Sequence, residues 1–187
     1  MKNSSLPSQS IYRIRYARSD EVTDLQQIDL KSCELFEGTG LIDFGPNIKR
    51  APLIPEENLR RGLGDRLLWV ATDIKDTPIG FALCSHKPGS LYLDQVSVLP
   101  QYGQRGIGRE LVNKTIQAAR EHNYKSLSLS TFRDVAWNGK FYRGLGFKEI
   151  PRKKLTPWQL ELEQLQTATM DISKRCFMHK SVKRLFF

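Results

Sequence analysis

The chain has 187 residues, 40% of them hydrophobic, and a formal charge of +9; this length suits one core-forming domain and is short for two. No apolar run approaches the roughly 20 residues needed to cross a bilayer, and MKNSSLPSQS has no apolar leader core, so a soluble cytoplasmic protein is expected. Cys33, Cys84 and Cys176 are odd in number and have no Cys or His at metal-ligand spacing, which points to reduced, buried thiols and no metal.

In chain order, residues 1–10 read as a loose, flexible segment ahead of a single domain over 11–187. Ile11, Ile14 and Tyr16 alternate imperfectly with arginines, as in a strand over 11–18. Ser19 is the expected cap of a helix with an acidic first turn at Asp20 and Glu21 and an apolar stripe of Val22, Leu25, Ile28, Leu35 and Phe36. The Gly- and Pro-rich residues 38–55 read as loop. Pro55 suits the first position of a short helix that Gly62 or Gly64 ends. Strands are expected over 67–72 and 79–85, as a hairpin around DIKDTP, and over 91–99 after the turn KPGS.

Pro100 ends the third of these strands because proline cannot donate to a sheet ladder. Gly103, Gly106 and Gly108 follow, free to adopt positive φ and to let a ligand approach the backbone, with Gln104 and Arg105 between them. A helix begins near Gly106 or Ile107. Its first amides have no intrahelical acceptor and lie at the positive end of its dipole, so the segment is expected to cradle a phosphate. Ile107, Leu111, Val112, Ile116 and Ala119 form the helix's single apolar stripe, which ends near His122 and Asn123.

The next strand, over 125–131, is reached by a helical crossover and can pair in parallel with the strand before the cradle. A short helix from Asp134 or Val135, a strand-like 147–150, a capping box at Thr156 and Gln159 opening a helix to about Gln166, and a strand over 175–182 complete the chain. Together these predict an α/β fold, one twisted mixed sheet with helices on both faces.

Charge is divided unevenly along the chain. Residues 1–90 hold 12 basic and 12 acidic side chains and residues 91–187 hold 17 and 8, so the positive excess lies in the half that contains the cradle. A basic surround concentrates a polyanion. The aromatic and basic interleaving of nucleic-acid-binding modules is missing, so nucleic acid is not an expected partner.

The run VSVLPQYGQRGIG, with Val96, Val98, Pro100, Gly103, Gly106 and Gly108, resembles the first signature of the GNAT superfamily of N-acetyltransferases. Gly103 stands where that family usually has Gln or Arg, although Gln104 and Arg105 follow at once. NGKFYRGLGF, with Asn138, Phe141, Tyr142, Gly146 and Phe147, is similar to the family's second signature, and the two occur in the family's order. The resemblance spans residues 67–150 and implies a GNAT-like mixed sheet, acetyl-CoA as acyl donor and an amine as acceptor. In that family the early helices and their connection flank the acceptor, and many members are homodimers.

On this resemblance, Gly103, Gln104, Arg105, Gly106, Ile107 and Gly108 would bind the pyrophosphate and Asn138 the pantetheine arm. A backbone amide at Val96 or Val98 would hold the thioester carbonyl, and Tyr142 would be the general acid toward the leaving thiolate. Asp94 is the best carboxylate for deprotonating the amine, since two-residue alternation would put it on the strand face of Val96 and Val98. Glu34 and Glu37 are further candidates for acceptor recognition. His86, His122 and His179 share no spacing that would make a triad. The alternative is an acyl-CoA-binding regulatory module without chemistry.

Overall fold

Residues 12–45 and 54–182 are described by a computed structural model. Ile11, the expected flexible segment 1–10 and residues 46–53 of the central loop lie outside it. The strands are β1 (Arg13–Tyr16), β2 (Leu68–Thr72), β3 (Pro78–Lys87), β4 (Ser90–Val98), β5 (Ser126–Phe132), β6 (Lys148–Glu149) and β7 (Arg175–Ser181). They form one sheet in the order β1-β2-β3-β4-β5-β7-β6. Four successive antiparallel strands, β1 to β4, meet β5 in a parallel pairing, and β7 inserts antiparallel between β5 and β6.

The helices are α1 (Val22–Cys33), α2 (Glu56–Gly64), α3 (Ile107–Glu121), α4 (Phe141–Gly144) and α5 (Pro157–Gln166). The sheet's alternation sorts side chains onto two faces. On one, Leu67, Trp69, Leu91, Leu93 and Leu127 pack against Ile107, Leu111, Val112 and Ile116 of α3 and Tyr142 of α4. On the other, Val70, Phe81 and Leu83 pack against Val22, Leu25 and Ile28 of α1 and Leu59 of α2. The helix α5 covers the far end of this second face, where Trp158 stacks edge-on with Tyr92 and Phe177. The predicted two-faced α/β sheet is therefore the observed fold.

Two local expectations near α1 fail for physical reasons. Ser19 does not cap α1 but begins a 3-10 turn, Ser19–Glu21, and Glu21 instead accepts from the Arg18 amide at 2.7 Å. The stripe also ends early. After Cys33 the chain tightens into a second 3-10 turn, Glu34–Phe36, which rotates Leu35 out to 46% exposure. The capping box at Thr156 forms as predicted, with its amide donating to Gln159 Oε1 at 2.9 Å.

Candidate active site

The seam between β4 and β5 organises the site. Their parallel pairing holds Leu91, Tyr92 and Leu93 against Leu127, Ser128 and Leu129, and goes no further. β4 itself continues, still paired to β3. The Leu99 amide donates to the Ile79 carbonyl at 2.9 Å, so alternation turns the amides of Ser97 and Gln95 toward β3 as well. Those of Val96 and Val98 point the opposite way, into the opening that β5 has left unpaired. Such preoriented donors can stabilise charge developing on a carbonyl oxygen.

A bulge in β4 changes the expectation for Asp94. Cys84 pairs with Leu93 and Leu83 with Gln95, leaving Asp94 as the extra residue. The alternation resets there, so Val96 and Val98 join the α3 face whereas Asp94 turns to the face of α1, α2 and α5. The predicted shared face is thus incorrect. Asp94 Oδ1 accepts from Ser85 Oγ at 3.0 Å, while Oδ2 is buried and has no partner among the described residues. Burial pushes the carboxyl up to about 6, against the opposing pull of Ser85, Lys87 and Arg61. The result is a carboxyl poised just below neutrality with one free acceptor atom.

The loop after β4 presents a run of backbone donors. Pro100–Tyr102 form one 3-10 turn, closed by the Gly103 amide donating to the Pro100 carbonyl at 3.0 Å. Of the three glycines expected at positive φ, only Gly106 adopts it, at 83°; Gly103 has φ −60°, and Gln104 is left-handed at 59°. The reversal at 104 and 106 fans out successive amides. Those of Gln104, Arg105, Gly106, Ile107, Gly108 and Arg109 have no acceptor among the described residues, and the first helical bond is Glu110 to Gly106 at 3.1 Å. Six free donors at the head of a 15-residue helix fit a diphosphate. Gly108 is not itself required by space or φ, since an added Cβ would make only ordinary contacts, 3.8 Å from Phe141 and 4.0 Å from Val98. Arg105 folds back over the Tyr102 ring at 5.3 Å and donates to the Gln101 carbonyl.

The second signature follows β5 as a π-helical turn, Ala136–Lys140, running into α4. Gly139 is required there, because a Cβ would come within 2.1 Å of the Arg133 carbonyl oxygen. Asn138 is half-buried, and its carboxamide has no partner among the described residues. Tyr142 is buried among Phe141, Phe147 and the α3-face core, and burial drives its phenol well above the usual range. Glu34 and Glu37 are exposed, and neither forms an ion pair among the described residues.

Three features beside the gap are not among the residues expected from sequence. Asp29 of α1 is buried and accepts from Gln95 Nε2 at 2.7 Å and Ser97 Oγ at 2.8 Å, tying α1 to β4. Its spacing from Val22 and Leu25 places a carboxylate on the apolar stripe of α1, and that was the available signal. Phe36, Phe132 and Trp137 form an aromatic cluster whose outermost ring, Trp137, is 48% exposed. Arg175, at the start of β7, lies over Phe132 at 4.7 Å. Leu41 to Asp43 bridge to Thr169–Asp171, joining the loop after α1 to the segment before β7.

A family model for the acetyltransferase (GNAT) family matches residues 41–147, which include β4, the amide-rich loop and the second signature. The chain belongs to the GNAT acetyltransferase family. It is therefore an acyltransferase. It is 28% identical over 145 residues to the peptidyl-lysine N-acetyltransferase YjaB of Escherichia coli, covering 78% of this chain and 88% of that protein. A GNAT-family acetyltransferase from Staphylococcus aureus superposes with a TM-score of 0.67 at 18% identity, covering 92% and 99% of the two chains. The PaiA N-acetyltransferase of Thermoplasma acidophilum, solved with coenzyme A, superposes with a TM-score of 0.66 at 15% identity over 91% and 98%. These likenesses identify the sheet with its interrupted β4–β5 seam as the GNAT fold. Among the described residues no helix is long and apolar enough to cross a membrane, and no group of His, Cys, Asp and Glu is arranged to hold a metal.

Proposed function

We propose that this GNAT protein transfers an acetyl group from acetyl-CoA directly to a primary amine, with the thioester in the β4–β5 gap. The observation that carries this reading is the continuity of unpaired amides, from Val96 and Val98 in the gap to Gln104 through Arg109 in the loop. Acetyl-CoA supplies an activated acyl group and a diphosphate. Gln104 to Gly108 bind the diphosphate, Asn138 the pantetheine arm, and the Val96 or Val98 amide the carbonyl oxygen. Asp94, ionised at neutral pH and with Oδ2 free, takes the proton from the amine. Tyr142, whose phenol stays protonated, returns one to the leaving sulfur. No observation among the described residues favours the alternative of a chemically silent acyl-CoA-binding module.

The test is thiol release from acetyl-CoA with a panel of amines, alongside calorimetric binding of coenzyme A to the wild type and to Gly106→Val. Turnover with at least one amine, and at least about tenfold weaker binding by the variant, are expected, because valine at φ 83° both strains the loop and crowds its donors. Undiminished affinity would remove the donor site from this loop.

A further inference from the structure

Arg175 stands out as a charge without a counter-charge. Its Nε donates to Gln166 Oε1 at 3.1 Å and its Nη2 to Ser130 Oγ at 3.0 Å, both neutral acceptors. It forms no ion pair with any described carboxylate, and Nη1 has no partner among the described residues. The guanidinium is partly buried over the Phe132 ring, and burial pulls its pKa down. Holding a cation in such a place costs stability unless an anion arrives to pair with it. A link between α5 and β5 needs no charge, since a neutral donor would bond Gln166 and Ser130 equally well.

Its location decides which groups can reach it. Ser130, to which Arg175 is bonded, is the first β5 residue beyond the last parallel pair, Leu93 with Leu129. It therefore lies at the mouth of the gap. The Tyr92 hydroxyl is within electrostatic reach of both Asp94 and Arg175, and Tyr142 is also within reach of Arg175. The proposed base, the proposed acid and this unpaired cation thus all lie within electrostatic reach of Tyr92, a paired residue of the β4–β5 seam. Asp94 offers an acceptor atom for an amine, and Arg175 offers donors for a carboxylate.

The geometry points to Arg175 as the residue that selects the acceptor, by pairing its free guanidinium edge with a carboxylate carried on the same molecule as the amine. The acceptor class is therefore a carboxylate-bearing amine. This inference rests on the acetyl-transfer reading above, and deepens it from any primary amine to one with an acid group near it.

The test compares acceptors that differ only in that group, in two arms that separate its sources. In one arm, free amino acids are compared with their carboxamides; in the other, peptide amides carrying glutamate are compared with the same peptides carrying glutamine. Wild-type kcat/KM should favour the carboxylate member in at least one arm by about 10- to 100-fold, the worth of a charge-assisted hydrogen-bonded pair. Arg175→Gln should erase that ratio through KM for the acceptor, and Arg175→Lys should restore part of it. Because the readout is a ratio within one preparation, a general loss of folded protein does not move it. Turnover of both members at equal efficiency, or a preference that survives in Arg175→Gln, would overturn this inference and leave the transferase standing. Binding of acetyl-CoA with no turnover of any amine in either arm would overturn both.

Discussion

Burial raises the pKa of Asp94 and of Tyr142 alike, but the consequences diverge because a carboxyl starts far below neutrality and a phenol far above it. Asp94, at about 6, is ionised at pH 7 and protonated at pH 5, so kcat/KM should rise with pH through about 6. Asp94→Asn should flatten that limb, as read from a pH profile at subsaturating acceptor. The same shift affects stability with a definite sign. The folded state binds this proton more tightly than the unfolded chain, so the stabilisation is complete below pH about 4 and is lost as pH rises through about 6. Above that range Asp94→Asn should be more stable than wild type, by up to about 3 kcal/mol in chemical denaturation, and the gain should vanish near pH 4. Tyr142→Phe should lower kcat about 10- to 100-fold without abolishing turnover, because a thiolate is already a fair leaving group. Thiol release at saturating acetyl-CoA measures it.

At the scale of elements, the parts of the site that depend on backbone chemistry were legible in the sequence. Pro100, Gly106 and the stripe from Ile107 to Ala119 announced a strand, a turn and a helix whose first amides are free, and this is the observed arrangement. Thr156 and Gln159 likewise specified their helix start. The bulge was not legible. Two-residue alternation presumes an unbroken pleat, and only the register against β3 reveals that Asp94 is inserted. Asp29 and Arg175 escaped for a different reason: each matters through partners on distant elements, Gln95 and Ser97 for one, Ser130 and Gln166 for the other. Gly139 was also not singled out, because its necessity comes from the Arg133 carbonyl that the π turn folds against. Gly139→Ala should cost about 1–3 kcal/mol through overpacking, measured by urea unfolding, and should displace Asn138 enough to weaken coenzyme A binding in the protein that remains folded.

Across the whole molecule, the division of charge bears on the donor more than on the fold. The basic excess lies in the half of the chain that carries the loop, whose own donors are uncharged amides. Long-range attraction to a polyanion is therefore screened by salt, whereas the short hydrogen bonds are not. The association rate for coenzyme A should fall several-fold between low and physiological ionic strength in stopped-flow measurements, with the dissociation rate nearly constant.

The short run of parallel pairing has a mechanical meaning as well. Three residue pairs are a small zipper between one sub-sheet of β1 to β4 and another of β5 to β7, and beyond them the inner edges of both are exposed to each other without a ladder. A donor arm lying between those edges would act as a removable staple, supplying hydrogen bonds that the polypeptide omits. Deuterium uptake at Leu91 to Leu93 and Leu127 to Leu129 should then slow when coenzyme A is added, so that the two halves exchange as independent units when empty and as one when loaded.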